Sequence, residues 1–129
     1  MKALLVDDSR TMRSMLKRIV APLGFEISEA ADGQEALDMV TAGDVPDLAL
    51  VDWNMPVMDG LSFVSAVRNN PELRNVTLVM VTTESEQSQI VRALAAGAHE
   101  YLIKPFTADA LVDKLSFLGL IPQQEEAAW

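Results

Sequence analysis

"DLALVDWNMPVMDG", residues 47–60, decides the fold reading. The apolar run Leu48 to Val51 offers no alternate polar position for a solvent face, so it reads as a strand covered on both sides, as in a parallel sheet. It stops on a carboxylate, Asp52, and Trp53, Asn54 and Pro56 follow before Asp59-Gly60. Proline and Asp-Gly punctuate a turn and the start of a helix. Asp52 is therefore either a turn former or a group the strand delivers to the surface.

Three more runs share this character: "ALLV" at 3–6, "TLVMVT" at 77–82 and "YLI" at 101–103. "FEIS" at 25–28 alternates apolar with polar and reads as a half-exposed edge strand. Helical patterns separate the strands. From Ser9, a candidate N-cap, to Leu23, the residues Met12, Met15, Leu16, Ile19, Val20 and Leu23 follow the spacing of one buried face. Asp32 with Glu35 three positions on forms a capping box, and Gly43 supplies a left-handed stop. Asp59 caps a third helix ending near Asn69; Glu86 to Ala96 form a fourth with Ile90, Val91, Leu94 and Ala95 inward. Thr107 caps a fifth to about Leu118, with Leu111, Val112, Leu115 and Leu118 inward. Five β-α repeats predict an α/β, doubly wound (βα)5 domain: a five-stranded parallel sheet with helices on both faces.

The 129 residues are 50% apolar, enough for one domain and too few for two. A net charge of -9 argues against nucleic acid and anionic lipid, which demand a positive face. With no cysteine, disulfide and thiolate chemistry is excluded. The opening "MKALLVDDS" is too short for a secretory core segment and no stretch reaches membrane-spanning length, so a cytoplasmic address is expected. After Gly119 the tail "LIPQQEEAAW" loses periodicity, which divides the chain into a domain over 1–118 and an acidic, loosely held tail over 119–129.

In an open parallel sheet the functional crevice lies beyond the carboxyl ends of the strands. The residues there are Asp7 and Asp8 after the first strand, Asp52 after the third, Thr82 ending the fourth and Lys104 after the fifth. Two carboxylates about 4 Å apart repel by roughly 4 kcal/mol at an effective dielectric near 20, so three need compensation. A hard divalent cation supplies it. An all-oxygen donor set favours Mg2+ over zinc or copper, and Mg2+ favours phosphoryl ligands. Asp52, on the central strand, is then the expected nucleophile toward phosphorus, with the metal, Lys104 and Thr82 neutralising the equatorial oxygens and an acyl phosphate as product.

With "LLVDDSRTMR" (4–13), "VDWNMPVMDG" (51–60), "VTTES" (81–85) and "YLIKPF" (101–106) at successive strand ends, residues 1 to about 118 resemble the receiver domain of two-component response regulators, in its stand-alone, CheY-like chemotaxis form. The resemblance implies a flavodoxin-like sheet of order 2-1-3-4-5. It also implies that Asp52 accepts phosphate from a CheA-like histidine kinase, and that Asp7, Asp8, Asp52 and the backbone carbonyl of Asn54 hold one Mg2+. Thr82 and Lys104 would bind the phosphoryl group, and Lys104-Pro105 would be a cis peptide aiming the lysine inward. Tyr101 matches the family's switch aromatic, which turns inward as Thr82 moves toward the phosphate. Asn54 and Glu84 would tune hydrolysis. The output face would include Ser85, Ile90, Tyr101, Ile103 and Lys114, and its target would be a flagellar motor switch protein. The alternative is a relay or phosphate sink that hands phosphate to a histidine phosphotransfer protein. A monomer is expected. The chain departs from the family pattern at Thr83, where alanine is common and whose bulk is expected to restrict the inward turn of Tyr101, and in its Trp-ended tail.

Plainer roles suit other residues. Asp59-Gly60 reads as a cap and tight turn, with glycine there for a positive φ. His99, the one histidine, has no ligand partner in sequence and reads as a loop residue. The seven methionines are packing, not a copper site, with Met55 and Met58 placed to flank the site as a lid. Trp53 is expected to border the metal site. A Mg2+-dependent phosphohydrolase would show Asp-x-Asp after the first strand and a cap insertion; the chain has neither.

Overall fold

The computed structural model describes residues 1–122; the acidic stretch and Trp129 lie outside the described residues. Five strands, β1 (Lys2–Val6), β2 (Glu26–Ala30), β3 (Leu48–Val51), β4 (Thr77–Thr82) and β5 (Glu100–Ile103), form one parallel sheet in the order β2-β1-β3-β4-β5. The helices α1 (Arg10–Val20), α2 (Gly33–Thr41), α3 (Gly60–Arg68), α4 (Gln87–Ala96) and α5 (Ala108–Phe117) connect them. This is the flavodoxin-like order, and β2 is an edge as expected.

Alternation along the central strands explains the two layers. Ala3, Leu5, Leu48, Leu50, Val79 and Val81 face α1 and α5, meeting Leu16, Val20, Leu111 and Leu115. Leu4, Val6, Ala49, Val51, Leu78 and Met80 face the other way, against Ala36, Val40, Phe63, Val64, Val67 and Ala93 of α2, α3 and α4. Both faces are dry, so the interior positions of these strands must be apolar. The capping side chains do what their types predict: Ser9, Asp32, Asp59 and Thr107 each accept from a backbone N–H three residues on. Gly43 adopts φ +106 just after α2, the left-handed stop.

Two expectations are corrected. The first helix ends at Val20 and a 3-10 turn carries the chain through Pro22 to Leu23; Met15, expected inward, is exposed. In α4 the buried position is Ala93, flanked by Ile90 and Ala96, while Val91 is 57% and Leu94 43% exposed and Ala95 faces solvent. The apolar residues of this helix fit two stripes, and small Ala93 permits the closer approach to the sheet. Past α5, Leu120 and Ile121 fold back onto the α1/α5 layer, with Leu120 N–H donating to Leu115 carbonyl at 3.0 Å.

His99 does more than occupy a loop. Its backbone N–H donates to Leu78 carbonyl at 2.7 Å, and its Nδ1 accepts from Leu78 N–H at 3.1 Å, so the ring completes the β4 edge. Burial, and then the nearby Arg68 guanidinium, push the imidazole below its usual pKa. The neutral ring is thus favoured in the fold: its contribution is complete above the unfolded value near 6.5 and is lost as pH falls through the lowered one. His99→Asn, whose carbonyl can still accept from Leu78, should show a shallower loss of melting temperature between pH 7 and pH 5 than the parent, measured by thermal unfolding in matched buffers.

Candidate functional site

Register places the site. Val6 pairs with Val51 across β1 and β3, so the next residues, Asp7 and Asp52, leave neighbouring central strands side by side. Asp52 N–H extends the ladder to Val6 carbonyl at 2.9 Å, and Lys104 N–H reaches Thr82 carbonyl at 2.9 Å, which brings the β5 exit to the same end. Asp7, Asp52 and Thr82 are the buried polar residues among those described.

Each group is fixed by partners. Asp7 Oδ1 accepts from Ser9 N–H at 2.8 Å and its Oδ2 from Lys104 Nζ at 2.9 Å. Lys104 Nζ also stands 3.7 Å from Asp52 Oδ2, so one ammonium bridges two carboxylates. Asp52 Oδ1 accepts from Trp53 N–H at 2.8 Å. Arg13, which sequence reasoning passed over, donates from Nη1 to the Asp7 carbonyl at 2.6 Å and pairs through Nε with Glu29 Oε1 at 3.1 Å, tying α1 and β2 to the site. Its charge and helical position gave no sign of this, because the partners are set by the fold.

Burial raises the Asp52 carboxyl above its ordinary range; Lys104 opposes this, Asp7 adds to it, and hydrogen bonds from Thr82 and the Trp53 N–H pull it back in part. Carboxylate oxygens of Asp7, Asp8 and Asp52 lie within 4.8 Å of one another, with Asp8 exposed and the other two buried. Three hard oxygen donors converging on one open side fit a Mg2+ ion.

The remaining expected residues divide. Asn54 Nδ2 donates to Glu84 Oε1 at 2.6 Å, joining the β3–α3 loop to the β4–α4 loop. Tyr101 is buried and its hydroxyl donates to the Glu84 carbonyl. Burial, with Glu84 and Asp52 nearby, pushes its pKa up to about 12, so it remains a donor throughout the physiological range. Thr83 is exposed. Lys104-Pro105 is cis. Of the expected output residues, Ser85 and Ile103 are exposed, Ile90 packs partly on the core, and Lys114 pairs with Glu100 at 3.2 Å. Met55 and Met58 pack partly on the core layer of α2 to α4, and the Trp53 ring is buried in that layer while its backbone touches Asp52.

Gly60 has a different reason from the one expected. Its φ is not positive; a Cβ there would stand 2.0 Å from the Asp52 carbonyl oxygen, which accounts for glycine. The left-handed backbone falls instead on Val57, at φ 69 and 82% exposed, an uncommon conformation for a β-branched residue.

A family profile for the response regulator receiver domain matches residues 3–116, and the chain belongs to that family. Within it the chain is CheY-like. It is 40% identical over 116 residues to chemotaxis protein CheY1 of Helicobacter pylori, covering 89% of this chain and 94% of that one. The structure of the chemotaxis response regulator CheY4 of Vibrio cholerae matches with a TM-score of 0.83 at 37% identity, over 91% of this chain and 97% of the other. The CheY chain similar to this one in the CheX-CheY-BeF3-Mg complex from Borrelia burgdorferi gives a TM-score of 0.83 at 26% identity, over 92% and 88%. Receiver domains are phosphoacceptors that switch through a phosphoaspartate and bind Mg2+ at an acidic pocket.

Two outcomes test this geometry. A raised Asp52 pKa means that the folded state holds the proton more tightly than the unfolded chain: the stabilisation is full below the ordinary 3.8 and is lost as pH rises through the raised value. Asp52→Asn, which keeps an acceptor for Trp53 N–H, should therefore melt a few degrees higher than the parent in metal-free buffer at pH 7, with the difference shrinking toward pH 4. Gly60→Ala should destabilise by about 1–3 kcal/mol, the cost of overpacking a filled site, measured by denaturant unfolding.

Proposed function

We propose that the protein is a chemotaxis response regulator whose Asp52 accepts a phosphoryl group from a CheA-like histidine kinase. The observation that carries this reading is Lys104 Nζ set 2.9 Å from Asp7 and 3.7 Å from Asp52, with Asp8 completing a carboxylate cluster at the carboxyl ends of the strands. In the reaction one Asp52 oxygen forms the bond to phosphorus as the P–N bond of the donor phosphohistidine breaks, and the imidazole leaves with the electron pair. In this reading Lys104 and the Thr82 hydroxyl bind the transferred oxygens. Asp7, Asp8, Asp52 and the Asn54 carbonyl would hold Mg2+, which when bound offsets the negative charge shared by the carboxylates and the phosphoryl group.

Asn54 and Glu84, bonded to each other, govern in this reading the access of the hydrolytic water. Thr82 and Tyr101 form the switch, and the surface around Ser85, Ile90, Tyr101, Ile103 and Lys114 is the output face, to which the exposed Val91 and Leu94 add apolar area. The protein works as a cytoplasmic signalling phosphoacceptor that makes and loses its own phosphate, not as an enzyme turning over free substrate. Similarity to chemotaxis proteins favours a flagellar motor switch protein as the target.

Intact-mass spectrometry after incubation with acetyl phosphate and Mg2+ should reveal a single phosphoryl adduct that Asp52→Asn lacks; an adduct on both would remove Asp52 from its role. Pull-down with a flagellar switch peptide should strengthen with beryllofluoride. Failure there, with phosphate passing instead to a histidine phosphotransfer protein, would make the chain a relay.

A further inference from the structure

Helix α4 is the helix least anchored by its own side chains. Its N-cap Glu86 makes no side-chain cap bond, Ala93 is its single fully buried residue, and Gln89 Oε1 is buried without a partner. Against this, the Arg92 guanidinium lies over the Trp53 ring, 5.7 Å from its centroid. That distance suits a cation–π contact, and a planar guanidinium above an indole is its most favourable form.

Trp53 is the residue next to Asp52. Its N–H donates to Asp52 Oδ1 at 2.8 Å, its carbonyl accepts from Gly60 N–H at 2.9 Å, and its ring is buried. The tryptophan is thus gripped by the site on its backbone side and by α4 on its ring side. A second tie joins the same segment to the entrance of α4, because Asn54 Nδ2 bonds Glu84 Oε1. One attachment would leave the helix free to pivot; two, at its entrance and in its second turn, fix its rotation as well.

We infer that Arg92 is a positioning residue that couples α4 to the phosphoacceptor through Trp53, so that the occupancy of Asp52 is transmitted to the exposed face of α4. The inference rests on the phosphoacceptor reading of Asp52. Arg92 touches no reacting atom, so its loss should leave ligand binding at Asp52 nearly intact while weakening what α4 feels of it.

The test uses hydrogen exchange of the amides over residues 87–96, with and without beryllofluoride and Mg2+, alongside calorimetric titration of beryllofluoride. The parent should bind the mimic and change exchange across α4. Arg92→Ala should bind within about twofold of the parent yet show the α4 response reduced roughly two- to fivefold, the range expected for losing one cation–π contact. Arg92→Lys should recover part of it. Trp53→Phe should also reduce the response, and adding Arg92→Ala to it should change little, since the two residues act as a pair. A full α4 response in Arg92→Ala, or additive losses in the double variant, would overturn the coupling. A parent that binds no beryllofluoride would instead overturn the phosphoacceptor reading, and the coupling with it.

Discussion

A single ammonium between two buried carboxylates is the constraint on which the rest of this molecule depends. Parallel pairing of β1 with β3 leaves Asp7 and Asp52 as neighbours at the strand exits, and neither can move without breaking the sheet register. Like charges held this way raise the energy of the folded state. Lys104, delivered by the end of β5, offsets that repulsion, and Asp7 is further pinned by Ser9 N–H while Arg13 holds its carbonyl. What remains is the cost of holding a charged carboxylate out of water: burial, more than the Asp7 charge, raises the Asp52 pKa. A hard divalent cation held by these oxygens would offset it, so binding there would be coupled to the stability of the fold itself.

The strand exits were legible because a strand buried on both faces tolerates polar residues only where it leaves the sheet. Asp7, Asp52, Thr82 and Lys104 stand out for that reason, and the caps Ser9, Asp32, Asp59 and Thr107 stand out because their oxygens do local work. What remained hidden depends on three-dimensional proximity. Gly60 is required by the Asp52 carbonyl opposite it, and no residue type announces the positive φ of Val57. Arg13 and Arg92 find partners 16 and 39 positions away in sequence, Glu29 and Trp53, which charge patterning alone does not pair. In α4 the pattern was ambiguous: alanine belongs equally inside and outside, so the helix could be read with Val91 and Leu94 buried when they face solvent.

That ambiguity has a physical counterpart. A helix seated on Ala93, Ile90 and Ala96 buries little apolar area, so few contacts oppose its displacement. The loop leading into it is held by polar bonds instead. Glu84 N–H donates to Thr82 Oγ1 at 3.3 Å, its carboxylate accepts from Asn54 and its carbonyl from the Tyr101 hydroxyl, so one residue joins the loop after β3, the end of β4 and a side chain of β5. A displacement of Thr82 would therefore strain the three bonds together, since directional bonds of this kind do not stretch far. Tyr101 is attached to this loop through its hydroxyl and α4 follows the loop directly in sequence, so a change at the site, if it reaches Glu84, would reach both.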